Sequence, residues 1–196
     1  SSGTGAMEAS ITNLFSKGDT VLSFTAGKWG ERYRDIAKGN GLDVKMFELP
    51  SGEALTAEYV ADALKKNPQA KGVLITLCET STAVMHPFKE IAQVTQKRKA
   101  ILLLDAISGL CCDPLEMDQW GVDVVVCGSQ KGLMLPPGLA FVAVNDRAQK
   151  MIPSSTLPKY YFNFALTIKS IEKNDTPYTP AVSLVRGLET ALTILL

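Results

Sequence analysis

The sequence has no excess of charge of either sign. Its 196 residues include 20 Lys and Arg and 20 Asp and Glu, which cancel, and neither sign forms a long block. Proteins that bind nucleic acids normally carry a basic patch or stripe. We therefore expect no nucleic acid partner, whereas small ligands of neutral or mixed charge remain compatible with the composition.

Long apolar runs are also missing. The longest, such as 100–104 and 122–127, have the length of a strand and fall far short of the roughly 20 residues that a membrane helix needs. No signal peptide is visible. We expect no membrane span and a cytoplasmic location.

Cysteine is scarce, and its spacing does not indicate a metal site. Cys78, Cys111, Cys112 and Cys127 include no C-x-x-C pair, and adjacent cysteines rarely bridge to each other. We interpret all four as reduced thiols of a cytosolic-type protein and expect no metal.

Apolar, β-rich segments alternate along the chain with amphipathic, charged segments, a pattern typical of βαβ units around a mostly parallel sheet. The predicted strands are 21–24, 43–49, 72–77, 100–104, 122–127 and 139–144. The predicted helices are 5–15, 30–38, 56–66, 87–97, 146–152 and 182–196. Between the last two strands the chain is too short for a helical crossover, so the final strand should run antiparallel. We expect a three-layer α/β/α fold, with an irregular segment over 153–180.

Several polar residues follow predicted strands, where open α/β sheets bind their ligands. Asp105 follows the strand 100–104, Lys131 follows the strand 122–127, and the stretch 79–82 (ETST) follows the strand 72–77. The small residues 2–5 (SGTG) precede the first helix, where free amides and the helix dipole favour a phosphate. Any one of these features alone is commonplace in a turn or a helix cap.

Together they supply what pyridoxal phosphate requires, namely an amine for a Schiff base, a carboxylate for the pyridine nitrogen and a phosphate cup. Lys131 offers the amine and Asp105 the carboxylate. We expect burial of Lys131 to tune its amine for proton transfer. The cup would be built from Gly3, Thr4, Ser129 and Gln130.

Five strings then give a family resemblance. They are SGTGAMEA (2–9), GKWGER (27–32), ETST (79–82), LLLDAISGL (102–110) and WGVDVVVCGSQKGLMLPPGLAFVAV (120–144). In order and spacing they resemble the class V pyridoxal-phosphate aminotransferases, most closely the alanine–glyoxylate and serine–pyruvate (serine–glyoxylate) branch. The resemblance extends over nearly the whole chain.

The resemblance implies a role for each matching position. Lys131 is similar to the Schiff-base lysine, Asp105 to the partner of the pyridinium, and Trp29 to the aromatic residue that stacks on the ring. Thr80 resembles the hydroxyl near the phenolic oxygen of the ring. The residues that resemble the phosphate contacts, or lie beside them, are Gly3, Thr4, Gly5, Ser129 and Gln130.

The resemblance also implies an assembly. Tyr178 and Thr179 resemble the segment that reaches the phosphate of a neighbouring subunit, which implies a homodimer, and Thr176 is an alternative to Thr179 for that contact. Residues 1–196 resemble the cofactor-binding large domain of fold type I. The small domain, with the arginine that binds the substrate carboxylate, would lie outside this chain.

The function implied is a ping-pong transamination from alanine or serine to glyoxylate or pyruvate. Alternatives within the superfamily are an aspartate or aminoethylphosphonate transaminase and a cysteine desulfurase, although Trp29 and Gln130 stand where desulfurases have histidines. A phosphate- or nucleotide-binding module without catalysis is a further alternative, disfavoured because no Walker A or strand-turn G-x-G-x-x-G motif occurs. A degenerate aminotransferase kept as a structural subunit is the last.

Overall fold

A computed structural model describes residues 1–196. The strands are β1 (Thr20–Thr25), β2 (Asp43–Glu48), β3 (Gly72–Thr76), β4 (Cys78–Glu79), β5 (Val84–Met85), β6 (Ile101–Asp105), β7 (Val124–Gly128) and β8 (Ala140–Val144). The helices are α1 (Gly3–Leu14), α2 (Lys28–Gly39), α3 (Ala57–Lys66), α4 (Phe88–Gln96), α5 (Met117–Trp120), α6 (Asp146–Gln149), a 3-10 turn (Ile152–Ser154), α7 (Phe164–Ile171) and α8 (Val182–Leu195).

Six strands form the main sheet in the order β2-β1-β3-β6-β7-β8, and β4 and β5 form a small separate hairpin. Neighbouring strands in the main sheet run parallel, except that β8 is antiparallel to β7. This confirms the predicted α/β fold and the direction of its last strand. The order also places β6 and β7 side by side, so their carboxyl ends share one edge of the sheet.

Helices cover both faces of the sheet, which explains why its central strands β3, β6 and β7 are buried throughout and mostly apolar. In β6, Leu102 and Leu104 belong to the core cluster that contains residues of α3 and α4. Ile101 and Leu103 belong to the opposite cluster, with residues of α1 and α2. The alternation follows from the two-residue period of a strand.

The prediction of an irregular segment over 153–180 is wrong at α7. Asn163 caps this helix, since its side-chain oxygen accepts a hydrogen bond from the Leu166 amide at 3.1 Å. Phe164 and Ile168 of α7 pack against the core cluster on the α1 side of the sheet. Tertiary contact and a capping asparagine therefore stabilise a helix that the apolar pattern alone did not reveal.

The predicted helix 146–152 is also shorter than expected. It ends at Gln149 and is followed by the 3-10 turn with Pro153 inside it. None of the helices combines the length and the apolar character that crossing a bilayer requires.

Candidate cofactor site

Three elements bring the chemical groups to one edge of the sheet. Asp105 is the last residue of β6, and it pairs with Val126 of β7. The chain leaves β7 at Gly128 and reaches Lys131 directly afterwards. The first turn of α1 lies against this point, because a Cβ added at Gly128 would be 3.3 Å from the amide nitrogen of Gly3.

A cavity of about 100 Å³ opens between these elements. Six of the residues that sequence analysis selected line it: Gly3, Thr4, Trp29, Asp105, Gln130 and Lys131. The remaining lining residues are Ser2, Met7, Arg32, Cys78, Ile107 and Ser108. A carboxylate, an amine, a helix N-terminus and an aromatic ring therefore face the same small space.

Asp105 is a buried carboxyl group with little compensation from the protein. It is 3% exposed, and its Oδ1 accepts one hydrogen bond, from the Ile107 amide at 2.9 Å. Burial raises the pKa of Asp105 to about 7, and the bond from Ile107 opposes that rise. Such a carboxyl suits a cationic hydrogen-bond donor, because a positive partner would stabilise its ionised form.

Lys131 is exposed in this chain, contrary to the expectation that it is buried. Its side chain makes no hydrogen bond and no ion pair within the chain, while its carbonyl accepts a bond from the Met134 amide at 2.8 Å. The backbone is thus held in a turn, and the amine at the cavity is free to react.

The first turn of α1 is ready to bind an anion. Ser2 precedes the helix without capping it through its side chain, and the first intrahelical amide with an acceptor is that of Ala6, bonded to Ser2 at 3.2 Å. The amides of Gly3, Thr4 and Gly5 are therefore free donors at the positive end of the helix. This arrangement suits a phosphate group.

Gln130 adds a further polar group to this end of the cavity. Its side-chain oxygen is buried and has no hydrogen-bond partner. Because the two ends of an amide are nearly alike in shape, a half-turn would present its NH₂ group as a donor instead. An unpartnered buried amide is costly, so a polar ligand at this place would relieve the cost.

Trp29 forms the aromatic wall of the cavity. It lies at the start of α2, and the guanidinium carbon of Arg32 is 4.4 Å from the centre of its ring. Arg32 also donates a hydrogen bond to Thr4 Oγ1 at 3.2 Å. One guanidinium therefore joins the aromatic wall to the helix end that is ready to bind an anion.

Arg32, Ser108 and Cys78 are lining residues to which sequence analysis gave no role. The position of Arg32 beside Trp29 could have been predicted, because their i, i+3 spacing puts both residues on one face of α2. Ser108 forms a hydrogen bond of 2.6 Å with Thr80 Oγ1. Its place at the cavity depends on the loop after β6 and has no signature in the sequence.

Five residues with predicted roles do not line the cavity. Thr80 contacts it only through Ser108, and the Ser129 hydroxyl is occupied, donating to the Pro136 carbonyl at 2.8 Å and accepting from the Leu139 amide at 3.2 Å. Tyr178 donates to the Tyr160 carbonyl at 2.9 Å. The other two are Gly5 and Thr179.

A larger cavity of about 370 Å³ lies between α1, β8 and α7. Its lining is mostly apolar and contains no carboxylate or amine side chain. The smaller cavity is therefore the candidate site, because a carboxyl group, an amine and a helix N-terminus meet there, whereas the larger one has no carboxylate or amine side chain. No three side chains of His, Cys, Asp or Glu lie close enough together to form a metal site.

Comparison with known proteins indicates the family of the chain. Residues 1–195 match the aminotransferase class-V family. The chain is 40% identical over 195 residues to the small subunit of a soluble hydrogenase of Synechococcus sp., covering 97% of this chain and 50% of that protein. It is 38% identical over 192 residues to an L-aspartate–glyoxylate aminotransferase of Paracoccus denitrificans, covering 96% and 48%.

A solved structure has the same fold. The alanine–glyoxylate aminotransferase of Nostoc sp. superimposes with a TM-score of 0.93 at 30% identity, over 98% of this chain and 52% of that one. The chain thus spans about half the length of the relatives that it matches. The match along nearly the whole sequence, together with the shared fold, shows that this chain belongs to the class V aminotransferase family.

Proposed function

We propose that residues 1–196 are the cofactor-binding domain of a pyridoxal-phosphate-dependent aminotransferase. The observation that carries the proposal is that Lys131, Asp105 and the free amides of α1 line one cavity at the carboxyl edge of the sheet. Class V aminotransferases depend on pyridoxal phosphate as a family, and the donor set matches each part of that cofactor.

Each residue would hold one part of the cofactor. The Lys131 amine would bind the aldehyde carbon covalently, and Asp105 would accept a hydrogen bond from the protonated ring nitrogen. The amides of Gly3 and Thr4, with Gln130, would bind the phosphate. Trp29 would cover one face of the ring. When bound, pyridoxal phosphate supplies an electron-withdrawing ring for chemistry at the α-carbon of an amino acid.

The protein's own part in the chemistry would be proton transfer and electrostatic tuning. Once the amino group of the substrate has replaced it on the cofactor, the freed Lys131 amine would take a proton from the substrate's α-carbon and return one during the reaction. Asp105 would keep the ring nitrogen protonated, because its buried carboxylate gains stability from a positive partner. The same two groups would serve both halves of a ping-pong transfer.

For substrates, we propose a small amino acid, alanine or serine, as donor and glyoxylate or pyruvate as acceptor. Two of the similar proteins have glyoxylate in their names, one with aspartate and one with alanine, so aspartate is the main alternative donor. The arginine for the substrate carboxylate would lie outside residues 1–196. Arg32 is not assigned this role, because it is already engaged with Thr4 and Trp29.

We also propose a homodimer located in the cytoplasm. Large apolar and aromatic side chains are exposed on one part of the chain, including Tyr160, Tyr161, Ile171 and Val182, and such patches commonly mark an interface. Tyr178, or one of its neighbours Thr176 and Thr179, would reach the partner's phosphate. All four cysteines are free thiols, as suits a reducing compartment. Sedimentation of the whole protein would show a monomer if the dimer proposal is wrong.

Lys131→Ala is the direct test of the proposed function. Purified whole protein should bind pyridoxal phosphate with visible absorbance and transfer amino groups in a screen of alanine, serine and aspartate against glyoxylate and pyruvate. The variant should lose the absorbance of the covalent adduct and at least about a thousandfold of the turnover. Lys150→Ala, which removes an exposed lysine outside the cavity lining, is the matched control. Full activity in the Lys131 variant would overturn the assignment.

A further inference from the structure

Glu79 is a buried carboxylate that lies behind the aromatic wall of the cavity. It ends β4 and is 0% exposed. Its Oε2 accepts hydrogen bonds from the amides of Trp29 and Gly30, both at 3.1 Å. Its Oε1 accepts bonds from the Ser81 amide at 3.1 Å and the Ser81 hydroxyl at 2.5 Å. No Lys, Arg or His forms an ion pair with it, so amides and one hydroxyl provide all its compensation.

Glu79 acts as the cap of α2. The helix begins at Lys28, and the residue before it, Gly27, has no side chain to cap the free amides. Glu79 supplies the missing acceptor from a distant part of the chain, and its negative charge lies at the positive end of the helix dipole. The start of α2 is thus fixed to the end of β4.

Gly27 is the residue that permits this approach. A Cβ at Gly27 would be 2.8 Å from Cγ and Cδ of Glu79 and 2.5 Å from the Ser81 hydroxyl oxygen. Contacts this short would push the carboxylate away from the helix. The GKWGER and ETST strings therefore form one structural unit, in which a glycine in the first makes room for a glutamate in the second.

Glu79 accepts a hydrogen bond from the backbone amide of Trp29, and Trp29 lines the cavity. Glu79 does not line the cavity itself, so its effect on a ligand must pass through Trp29. On the other side, the guanidinium of Arg32 packs 4.4 Å from the indole centre. Trp29 is thus held at its backbone by Glu79 and at its ring by Arg32.

We propose that Glu79 is a positioning residue, which fixes the first turn of α2 and thereby orients the Trp29 ring for stacking on the cofactor. The inference rests on the proposed function, since it assumes that an aromatic cofactor occupies the cavity. Glu79 itself would contact neither the cofactor nor the substrate.

Glu79→Gln in the whole protein tests the proposal. Gln has one acceptor oxygen where the carboxylate has two, and its NH₂ group would face amide donors. The dissociation constant for pyridoxal phosphate should rise by about tenfold, the effect of a lost charge-assisted hydrogen-bond acceptor. The visible circular dichroism of the bound cofactor should weaken, because the ring loses a fixed stacking partner.

A double-mutant cycle separates positioning from general destabilisation. In a Trp29→Ala background, Glu79→Gln should change the dissociation constant by less than about twofold, because there is no indole left to position. Asp123→Asn alters another buried carboxylate, which is 1% exposed and outside the cavity lining. It should lower thermal stability without changing cofactor affinity. If Glu79→Gln proves insoluble, Gly27→Ala displaces the carboxylate by contact and should weaken binding in the same indole-dependent way.

The outcomes are distinct. An unchanged dissociation constant in Glu79→Gln, with a wild type that binds pyridoxal phosphate, overturns this inference alone. An equal loss of affinity with and without the indole also overturns it, since Glu79 would then act by another route. A wild type that does not bind pyridoxal phosphate overturns the proposed function, and the inference with it.

Discussion

Two buried aspartates lie at opposite ends of two neighbouring strands. Asp105 ends β6 and is 3% exposed, whereas Asp123 precedes β7 and is 1% exposed. Asp123 is satisfied within the chain: it accepts bonds from the Leu102 amide and the Asn145 side chain, both at 2.8 Å, and Arg147 Nε lies 3.6 Å away. Asp105 accepts one bond.

The difference indicates which of two similar carboxylates has an oxygen left for a ligand. A carboxylate fully bonded by the protein stabilises the fold, and one with an unused oxygen at a cavity can bind something else. Asp123 lies at the amino ends of the strands, where it bonds neighbouring segments of the chain to each other. The carboxyl edge is where loops diverge and leave space. Burial alone would not distinguish the two residues.

The largest expected effect is that of Asp105→Asn on activity. If pyridoxal phosphate binds as proposed, losing the negative charge removes the partner of its ring nitrogen, so turnover should fall by about a hundredfold or more. Folding stability at pH 7 should not fall, because the variant no longer buries a poorly compensated carboxyl group. Steady-state kinetics and thermal melts would measure both. A variant that melts far below the wild type would show that Asp105 is structural, like Asp123.

The pH dependence of stability should also separate the two sites. Burial raises the pKa of Asp105 from 3.8 to about 7, so between these values the folded protein holds a proton that the unfolded chain releases. This stabilising contribution is complete below about pH 4 and is lost as pH rises through 7, by about 4 kcal/mol at most. Urea titrations of cofactor-free protein at several pH values would measure it. Asp105→Asn should abolish this slope, and Asp123→Asn should retain it.

Asp123→Asn should produce the opposite phenotype to Asp105→Asn. It removes the charge that compensates Arg147 and places an NH₂ group among donors, so the free energy of unfolding should fall by about 3 kcal/mol. Cofactor affinity should be unchanged. Denaturant unfolding and a pyridoxal phosphate titration on the same samples would show this. Weaker binding with unchanged stability would reverse the assignment of the two carboxylates.

The smallest expected effect is that of Arg147→Gln. Arg147 donates to the carbonyls of Arg98, Lys99 and Ala100 at 3.0–3.3 Å, and its side chain is 37% exposed. Because water can replace part of these bonds, the loss of stability should be about 1 kcal/mol. Thermal melts would detect it. A loss as large as that of Asp123→Asn would mean that the ion pair, and not the amide bonds, satisfies Asp123.

Much of the fold was predictable because its determinants are local. The central strands are continuous apolar runs, the helices carry charged faces, and the Pro136-Pro137-Gly138 turn is too short for a crossover. These patterns predicted the α/β fold and the antiparallel β8, which the structure confirms. Helix α7 was missed, because its packing against the α1 side of the sheet involves residues far away in sequence.

The site was predictable in part. Asp105 and Lys131 could be selected as candidates because each follows an apolar strand within a few residues, and the ends of parallel strands share one edge of the sheet; the structure places both in the lining of one cavity. Thr80 was assigned by resemblance and Ser129 as part of the predicted phosphate cup, and both roles stay predictions. In this chain the Ser129 hydroxyl bonds the hairpin that leads to β8. A hydroxyl's partner depends on the path of the loop, which the sequence pattern does not reveal.

The sequence by itself predicted the parallel sheet with most of its helices, indicated the family, and made Lys131 and Asp105 the candidates for the amine and the carboxylate. Only the tertiary structure decided which distant groups meet. Glu79 reaches the amide of Trp29 across 50 positions, and Arg32 joins Trp29 to Thr4 of another helix. The physical reason is that periodicity and turn chemistry act over a few residues, whereas hydrogen bonds between loops depend on strand order and on how closely backbones approach, as at Gly27.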